Sequence, residues 1–439
     1  MSTKKKRKKT QNPSLFELRL SQCMIVKNEE RNIETALRWA KGAVYEQIVV
    51  DTGSSDKTVE IAKNLGAKVY HFQWINDFAA AKNYAIEQAK GNWIAFLDAD
   101  EYFSTDNTKR MISLLKRIQS DRKLRDNVFA INCAIVNIDD AGNPMGILSQ
   151  ERIFRNLPEI RYIGKIHEYL NLSSEYVIKA DGLSIIHTGY SETAFRETGK
   201  TDRNIELLRK AITEEPNNFE IKAYLGEALL GKEDLESRKE AENLFIDVIN
   251  ENSDNIRVSL KKMAYRRLLE MRIESGDKIL ESDELGRRAV MAFPRDIDLN
   301  YCLGYILNKK REYGDAFEIL QACETALLGS TSYDESVIIS ANPAMLFTQL
   351  AISAQGIGSI EGMIKYSSMS LSLYKYQENL LTPYISILHK NEVSSDEIFS
   401  LLCGIYDLGN LIDVEYVANA AKKSGDVSLS EKLLSLMND

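Results

Sequence analysis

Long hydrophobic runs are missing from this sequence. No segment reaches the roughly eighteen consecutive apolar residues of a membrane-spanning helix. After the first charged residues, the stretch TQNPSLFELRL does not supply the apolar stretch of a secretory signal peptide. We therefore expect a cytoplasmic protein without a transmembrane segment.

The sequence also has few cysteines and no excess of positive charge. The five cysteines are scattered without a Cys-x-x-Cys pair, which favours reduced core residues over a disulfide framework or a zinc site. The net charge is −8, which argues against a nucleic-acid partner, because such proteins need basic surfaces. The local exception, KKKRKK at 4–9, predicts a basic disordered tail over 1–17. Contact with an acidic surface, including a membrane, is the less favoured alternative.

Two common nucleotide-binding motifs are absent. No Gly-x-Gly-x-x-Gly follows the first predicted strand, so a dinucleotide-dependent oxidoreductase is poorly supported. The stretch GEALLGKE nearly matches a phosphate-binding P-loop, but Glu233 stands where Ser or Thr must hold Mg²⁺. It also follows a predicted helix rather than a strand, which excludes this reading.

The first hundred residues instead alternate short apolar runs with helical segments. The predicted strands are Cys23–Val26, Gln47–Val50, Ala67–Phe72 and Trp93–Asp98, and the predicted helices are Arg31–Lys41, Lys57–Asn64 and Phe78–Lys90. Such alternation indicates an α/β domain with a parallel sheet that is covered on both faces. Further β-type runs are expected at Val128–Ile138, Glu151–Arg155 and Leu183–His187. Ligands of such sheets bind beyond the carboxyl ends of the strands, where this chain places polar and acidic residues.

The chain becomes helical after Ser191, and a repeat emerges. Leu225-Gly226, Ala241 and Phe245 match the tetratricopeptide pattern, and Leu303-Gly304, Ala316 and Leu320 match it again. We therefore predict tetratricopeptide-like repeats over 191–330 and a further helical region over 331–439. Generic helical hairpins are the alternative.

Asp98-Ala-Asp100 is the strongest chemical signal. Two carboxylates directly after a buried strand can hold Mg²⁺ or Mn²⁺, which prefer oxygen ligands and can bridge a nucleotide diphosphate. An exposed acidic turn is the simpler alternative. At the end of another strand, Asp51 in VVDTGSSDKT could accept hydrogen bonds from a base, although an ordinary strand-turn-helix connection explains the neighbouring Gly53.

Two other segments carry candidate residues. Asp77 stands at a helix start, where the helix dipole favours a carboxylate, and Lys82 and Asn83 follow on that helix. Without further information, a capped amphipathic helix with a solvated lysine is the preferred interpretation. In the later segments RYIGKIHEYL and IIHTGY, His167 and His187 could bind metal or transfer protons.

These segments together resemble a known family. MIVKNEERNIETAL, VVDTGSSDKTVEIA, WINDFAAAKNYAIEQAKGNWIAFLDADE, IHE and HTGY are similar, in this order, to motifs of the family 2 glycosyltransferases of GT-A fold. The closer resemblance is to a bacterial subgroup with tetratricopeptide-like helices after the catalytic domain, which includes peptide and protein glycosyltransferases. It implies a GT-A domain over 18–190.

The resemblance also implies roles for individual residues. It makes Asp51 the carboxylate that binds the base of a nucleotide sugar, and Asp100 and His187 metal ligands, with Asp98 both in the metal pair and near the ribose. It makes Glu168 the general base, with His167 beside it in the catalytic segment. The remaining nucleotide-sugar contacts that it implies come from Val26, Asn28, Glu29, Asp77, Lys82 and Asn83. Lys82 stands where relatives often have arginine, which keeps the charge but loses bidentate geometry.

The function that this implies is an inverting, Mn²⁺- or Mg²⁺-dependent transfer of a hexose or N-acetylhexosamine from a nucleotide sugar, with UDP as the expected nucleotide. Helical repeats offer extended binding surfaces, which favours a peptide or protein acceptor such as a bacteriocin-like peptide or flagellin. Surface polysaccharide or lipid-linked glycan synthesis is the first alternative. A non-catalytic scaffold with a degenerate transferase domain is the second. A homodimer through the helical tail is expected.

Overall fold

The computed structural model describes residues 17–188, 200–232, 234–251, 256–276, 279–329 and 338–436. The basic segment 4–9, Glu233 and the last two residues of the HTGY motif lie outside the described residues. The chain divides into two compact units, 1–217 and 218–439. The domain bounds expected from the sequence remain a prediction.

The first unit is built on one mixed sheet in the strand order β3-β2-β1-β4-β7-β6-β10-β5. Its strands are β1 (Leu20–Val26), β2 (Glu46–Asp51), β3 (Lys68–His71), β4 (Trp93–Phe96), β5 (Glu101–Phe103), β6 (Ala130–Ile138), β7 (Pro144–Arg155) and β10 (Val177–His187). A separate two-stranded sheet is formed by β8 (Tyr162–Ile163) and β9 (Tyr169–Leu170).

Strands β3, β2, β1 and β4 are parallel neighbours. Their apolar runs are the ones that the sequence predicts, and all four residues of β4 are buried. Strand β7 is antiparallel to β4 and β6, whereas β10 is parallel to β6. The ends of β1, β2, β4 and β10 therefore meet at one edge of the sheet.

Five helices cover or flank this sheet before β6, and one more is described after β10, beginning at residue 200. They are α1 (Ile33–Arg38), α2 (Thr58–Asn64), α3 (Phe78–Gln88), α4 (Thr105–Ser120), α5 (Arg122–Asn127) and α6 (Lys200–Glu214), with a 3₁₀ turn at Ser174–Tyr176. Helix α3 begins as expected, because the Asp77 carboxylate accepts a hydrogen bond from the Ala80 N–H at 2.8 Å. Helix α4 is absent from the sequence prediction, and it packs Met111, Leu115 and Ile118 into the core.

The second unit is all-helical in its described residues. Its helices are α7 (Phe219–Leu230), α8 (Leu235–Asn250), α9 (Val258–Ser275), α10 (Ile279–Ala292), α11 (Ile297–Lys310), α12 (Tyr313–Leu327), α13 (Ile338–Ala341), α14 (Ala344–Gly356), α15 (Ile360–Leu373), α16 (Glu378–Lys390), α17 (Ser395–Cys403), α18 (Leu411–Ser424) and α19 (Val427–Ser435). No helix in the described part of the chain is long and apolar enough to cross a bilayer.

The repeat pattern in the sequence has a packing reason in this unit. Helices α7 and α8 pair so closely that a Cβ on Gly226 would lie 2.7 Å from the ring of Phe245. In the pair α11 and α12, a Cβ on Gly304 would lie 2.6 Å from the side chain of Leu320. Both glycines occupy the predicted repeat positions. The predicted fold class, an α/β domain followed by a tetratricopeptide-like helical domain, is confirmed.

Candidate active site

The candidate site lies at the carboxyl edge of the sheet, where β1, β2, β4 and β10 end. At the end of β2, the buried Asp51 accepts hydrogen bonds from the backbone N–H of Ser54 at 3.0 Å and of Gly53 at 3.3 Å. The Asp51 carboxylate also lies 3.3 Å from His71 Nδ1. Asp51 therefore shapes the turn after β2, a structural role that the sequence interpretation did not give it.

The loop after β1 is fastened to this same turn. Asn28 has a left-handed backbone with φ of 58°, and its side-chain oxygen accepts a hydrogen bond from the Ser55 N–H at 2.8 Å. The Glu29 N–H donates to Thr58 Oγ1 at 2.7 Å. The buried Val26 accepts from the Thr52 N–H through its carbonyl oxygen at 3.0 Å. The loops after β1 and β2 thus form one ordered rim.

Arg152 on β7 binds two carboxylates that follow β4. Its Nη2 lies 2.7 Å from Asp98 Oδ2 and 2.6 Å from Glu101 Oε1. The side chains of Arg152 and Glu101 are 8 % and 3 % exposed, against 38 % for Asp98. Partial burial would raise the pKa of Asp98, but Arg152 and Lys82 outweigh it and hold that pKa well below its usual range. Burial raises the pKa of Glu101, and together with the nearby Asp98 it outweighs the opposing charge of Arg152.

Lys82 joins the Asp98 carboxylate to Glu168. Its ammonium lies 2.6 Å from Glu168 Oε1 and 3.5 Å from Asp98 Oδ1, and 5.0 Å from the ring centre of Tyr162. The expectation of a solvated lysine is therefore wrong, because Lys82 is only 4 % exposed. Burial would lower the pKa of Lys82, but Asp98 and Glu168 outweigh it and raise that pKa.

Asp100 meets His187 at the end of β10. Asp100 Oδ2 lies 3.3 Å from His187 Nε2, and both side chains are largely buried. On the other side of the ring, His187 Nδ1 lies 2.7 Å from the side-chain oxygen of Asn137. Because an amide oxygen accepts, we assign a proton to Nδ1. Nε2 is then the ring nitrogen that faces Asp100. Partial burial would lower the pKa of His187, but the hydrogen bond and charge of Asp100 raise it.

The structure thus brings together two of the three predicted metal ligands. Asp98 instead contacts Arg152 and Lys82, and the described residues contain no group of three or more His, Cys, Asp or Glu side chains placed to hold a metal. Asp100 and His187 still offer an oxygen and a nitrogen that suit Mn²⁺. Asn137 orients the imidazole as outer groups commonly orient metal-binding histidines.

Two further predicted residues have different surroundings. Asn83 uses both ends of its amide on the backbone of Tyr162, donating to the carbonyl oxygen at 2.9 Å and accepting from the N–H at 2.9 Å. It thereby fastens α3 to β8. His167 is exposed and has a left-handed backbone with φ of 54°. The roles that the resemblance assigns to these residues remain predictions.

Arg152 is the main residue that the sequence interpretation missed. It occupies a strand that was predicted at Glu151–Arg155, among the apolar residues Ile153 and Phe154. A charged residue within a buried strand requires a partner, and this was the available signal. Its partners could not be read from the sequence, because Glu101 and Asp98 lie 51 and 54 positions earlier.

Comparisons with known proteins agree with the architecture. Residues 21–122 match the family model described as glycosyl transferase family 2. A TPR repeat-containing protein of Synechococcus elongatus is 28 % identical over 316 residues, which cover 70 % of this chain and 74 % of that protein.

Two glycosyltransferases are also similar. The prophage-derived glycosyltransferase SunS of Bacillus subtilis is 28 % identical over 213 residues, which cover 47 % of this chain and 48 % of SunS. An uncharacterized glycosyltransferase of Rickettsia bellii is 37 % identical over 110 residues, which cover 25 % of this chain and 37 % of that protein. The chain thus spans about half or less of the length of these two relatives. Residues 21–122 thus match a family 2 glycosyltransferase domain, in agreement with the resemblance seen in the sequence.

Proposed function

We propose that this family 2 glycosyltransferase domain transfers a hexose or N-acetylhexosamine from a UDP-sugar to a peptide or protein side chain, with inversion at the anomeric carbon. The observation that carries the proposal is the pair Asp100 and His187, held beside Asp98 at the carboxyl edge of the sheet. This edge is where open α/β sheets bind their ligands.

The rim formed by the loops after β1 and β2 suits the nucleoside. Asp51 is held in place by the turn that it caps, so an oxygen of its carboxylate is preorganised to accept from the N–H of uracil. Val26, Asn28 and Glu29 border this rim, and Asp98 lies between it and His187 in our assignment, near the ribose. Lys82 and Asp77, on or at the start of α3, complete the proposed donor site.

Asp100 and His187 are the residues that would hold Mn²⁺ or Mg²⁺. Their donor atoms fit such an ion, and only two protein ligands leave positions for diphosphate oxygens. When bound, the ion would neutralise the diphosphate and make it a better leaving group. Asp98 is already neutralised by Arg152 and Lys82, so we give it an orienting role.

Glu168 is the proposed general base. Its carboxylate lies 2.6 Å from the Lys82 ammonium, and this ion pair fixes its position. The acceptor nucleophile would attack the anomeric carbon from the face opposite the diphosphate while Glu168 takes its proton. The bond to the acceptor forms as the bond to the diphosphate breaks, which inverts the configuration in a single displacement. His167, which directly precedes Glu168 in the chain, borders this position in the proposal.

The helical unit supports a polypeptide acceptor, because stacked helix pairs present extended surfaces to chains. We place the reaction in the cytoplasm. A homodimer through the helical tail remains a prediction.

Nucleotide release from a panel of UDP- and other nucleotide sugars, with Mn²⁺ or Mg²⁺, tests the proposal. We expect slow hydrolysis of one donor, which Asp100→Ala abolishes because it removes the oxygen ligand. The matched control is Asp106→Ala, since that side chain is 85 % exposed in α4. Release that persists in Asp100→Ala, or no release with any donor, would contradict the assignment.

A further inference from the structure

Strand β7 is longer than its neighbour β4. It pairs with β6 along most of its length but with β4 only through 153–155. Among the described residues, no strand pairs with the β4-facing side of β7 between 144 and 152. Alternate backbone N–H and C=O groups along this edge are therefore available to a further strand.

This free edge is also unusually exposed and apolar. Every residue from 144 to 150 is exposed, and Ile147 and Leu148 are 69 % and 51 % exposed. Natural edge strands are usually blunted by charged residues, proline or bulges, whereas the segment MGILSQ that follows Pro144 carries neither charge nor proline. Such a strand is a template for pairing with another extended chain.

The register places this edge beside the candidate site. Gly146 pairs with Asn137, which in turn pairs with His187, so the three residues form one row across β7, β6 and β10, with β6 and β10 on the side of β7 opposite the free edge. Because side chains alternate between faces along a strand, Leu148 lies on the same face as His187. At the other end of the free edge, Arg152 contacts Asp98.

We propose that the free edge of β7 between Gly146 and Arg152 binds an extended segment of the acceptor polypeptide as an added strand. The occupant is an extended backbone because only such a chain can satisfy a row of N–H and C=O groups. The edge ends at Arg152, which contacts Asp98, so the added strand would carry its acceptor side chain towards Asp98. Leu148 would pack against a side chain that flanks the reacting one.

This inference rests on the proposed function, because it requires a polypeptide acceptor. Hydrogen exchange of the full chain, measured by mass spectrometry, separates the two. The probe is the synthetic peptide Lys-Val-Thr-Val-Gly-Ser-Gly-Val-Thr-Val-Lys, in which apolar and polar residues alternate, together with its Cys-for-Ser analogue. UDP and Mn²⁺ are present, so that binding is followed without turnover.

With peptide at about ten times its dissociation constant, the open amides of 146–152 should exchange about tenfold more slowly, since they exchange only from the unbound protein. The double variant Ile147→Lys/Leu148→Lys should lose this protection while it keeps donor hydrolysis. Tyr45→Lys, at an exposed position before β2, introduces a lysine away from the carboxyl edge and should keep both.

The outcomes are distinct for the two proposals. No protection of 146–152 by either peptide, or equal protection in the double variant, would overturn the strand-addition site even if donor hydrolysis is observed. Protection that rises with protein concentration without peptide would assign the edge to a second copy of the chain and would also overturn it. Absence of donor hydrolysis in the wild type, with protection present, would instead count against the proposed transferase function.

Discussion

Asp98, Asp100 and Glu101 place three carboxylates within four positions after a buried strand. From the sequence, a metal ion alone was expected to make this charge tolerable. The structure adds two buried cations, because Arg152 binds Asp98 and Glu101, and Lys82 binds Asp98 and Glu168. The presence of the carboxylates could be predicted, but these partners are set by the tertiary fold.

Loss of Arg152 should leave the buried Glu101 carboxylate without its cation. We expect Arg152→Gln to lower the free energy of unfolding by about 3–5 kcal/mol, as for other broken buried ion pairs. The double variant Arg152→Gln/Glu101→Gln should recover part of this loss, because it removes the uncompensated charge. Chemical denaturation of the four proteins in the cycle measures the coupling.

Arg122→Gln serves as the control for this cycle, since the Arg122 side chain is 88 % exposed and its loss should change stability little. Two results would contradict the role described for this ion pair. One is a loss in the free energy of unfolding for Arg152→Gln that is no larger than that of the control. The other is a loss for the double variant that exceeds the sum of the losses of the two single variants.

At the scale of helices and strands, continuous apolar runs located the ends of the parallel strands within three residues. Cys23–Val26 and Gln47–Val50 were short only at their ends, where polar residues such as Ser21 and Glu46 still pair in the sheet. The first half of β7 was missed because PMGILSQ is exposed on both faces and shows no buried pattern. Only its pairing with β6 defines it as a strand.

The helical repeats depend on close approach at two glycines. Gly226→Ala should lower the free energy of unfolding by about 1–3 kcal/mol, because the new methyl group would overlap the Phe245 ring. Gly314→Ala is the control, since no atom lies within 4 Å of a Cβ there. The control should gain up to about 1 kcal/mol from its higher helix propensity.

Thermal unfolding followed by circular dichroism compares the two alanine variants. Opposite signs are expected for the two substitutions. Equal stabilisation by both would show that α7 and α8 do not pack as closely as the repeat requires.

At the scale of the whole molecule, the change of rhythm along the sequence predicted both parts of the fold. Strand-helix alternation gave the α/β domain, and matched repeat positions gave the helical one. The roles of the site residues could not be predicted by periodicity, and they came from the resemblance to family 2 glycosyltransferases. A fold alone does not specify which donor, acceptor and metal ion the residues Asp100, His187 and Glu168 bind.

The most direct test of the central claim is the affinity for UDP with and without Mn²⁺, measured by isothermal titration calorimetry on the wild type and Asp100→Asn. Asp100 and His187 should hold the ion that joins the diphosphate to the protein, so Mn²⁺ should tighten UDP binding at least about tenfold, or 1.4 kcal/mol. Asp100→Asn should lose this enhancement while Asp106→Asn keeps it. Equal affinity of the wild type for UDP with and without Mn²⁺, or no binding of UDP at all, would contradict a metal-dependent nucleotide-sugar site.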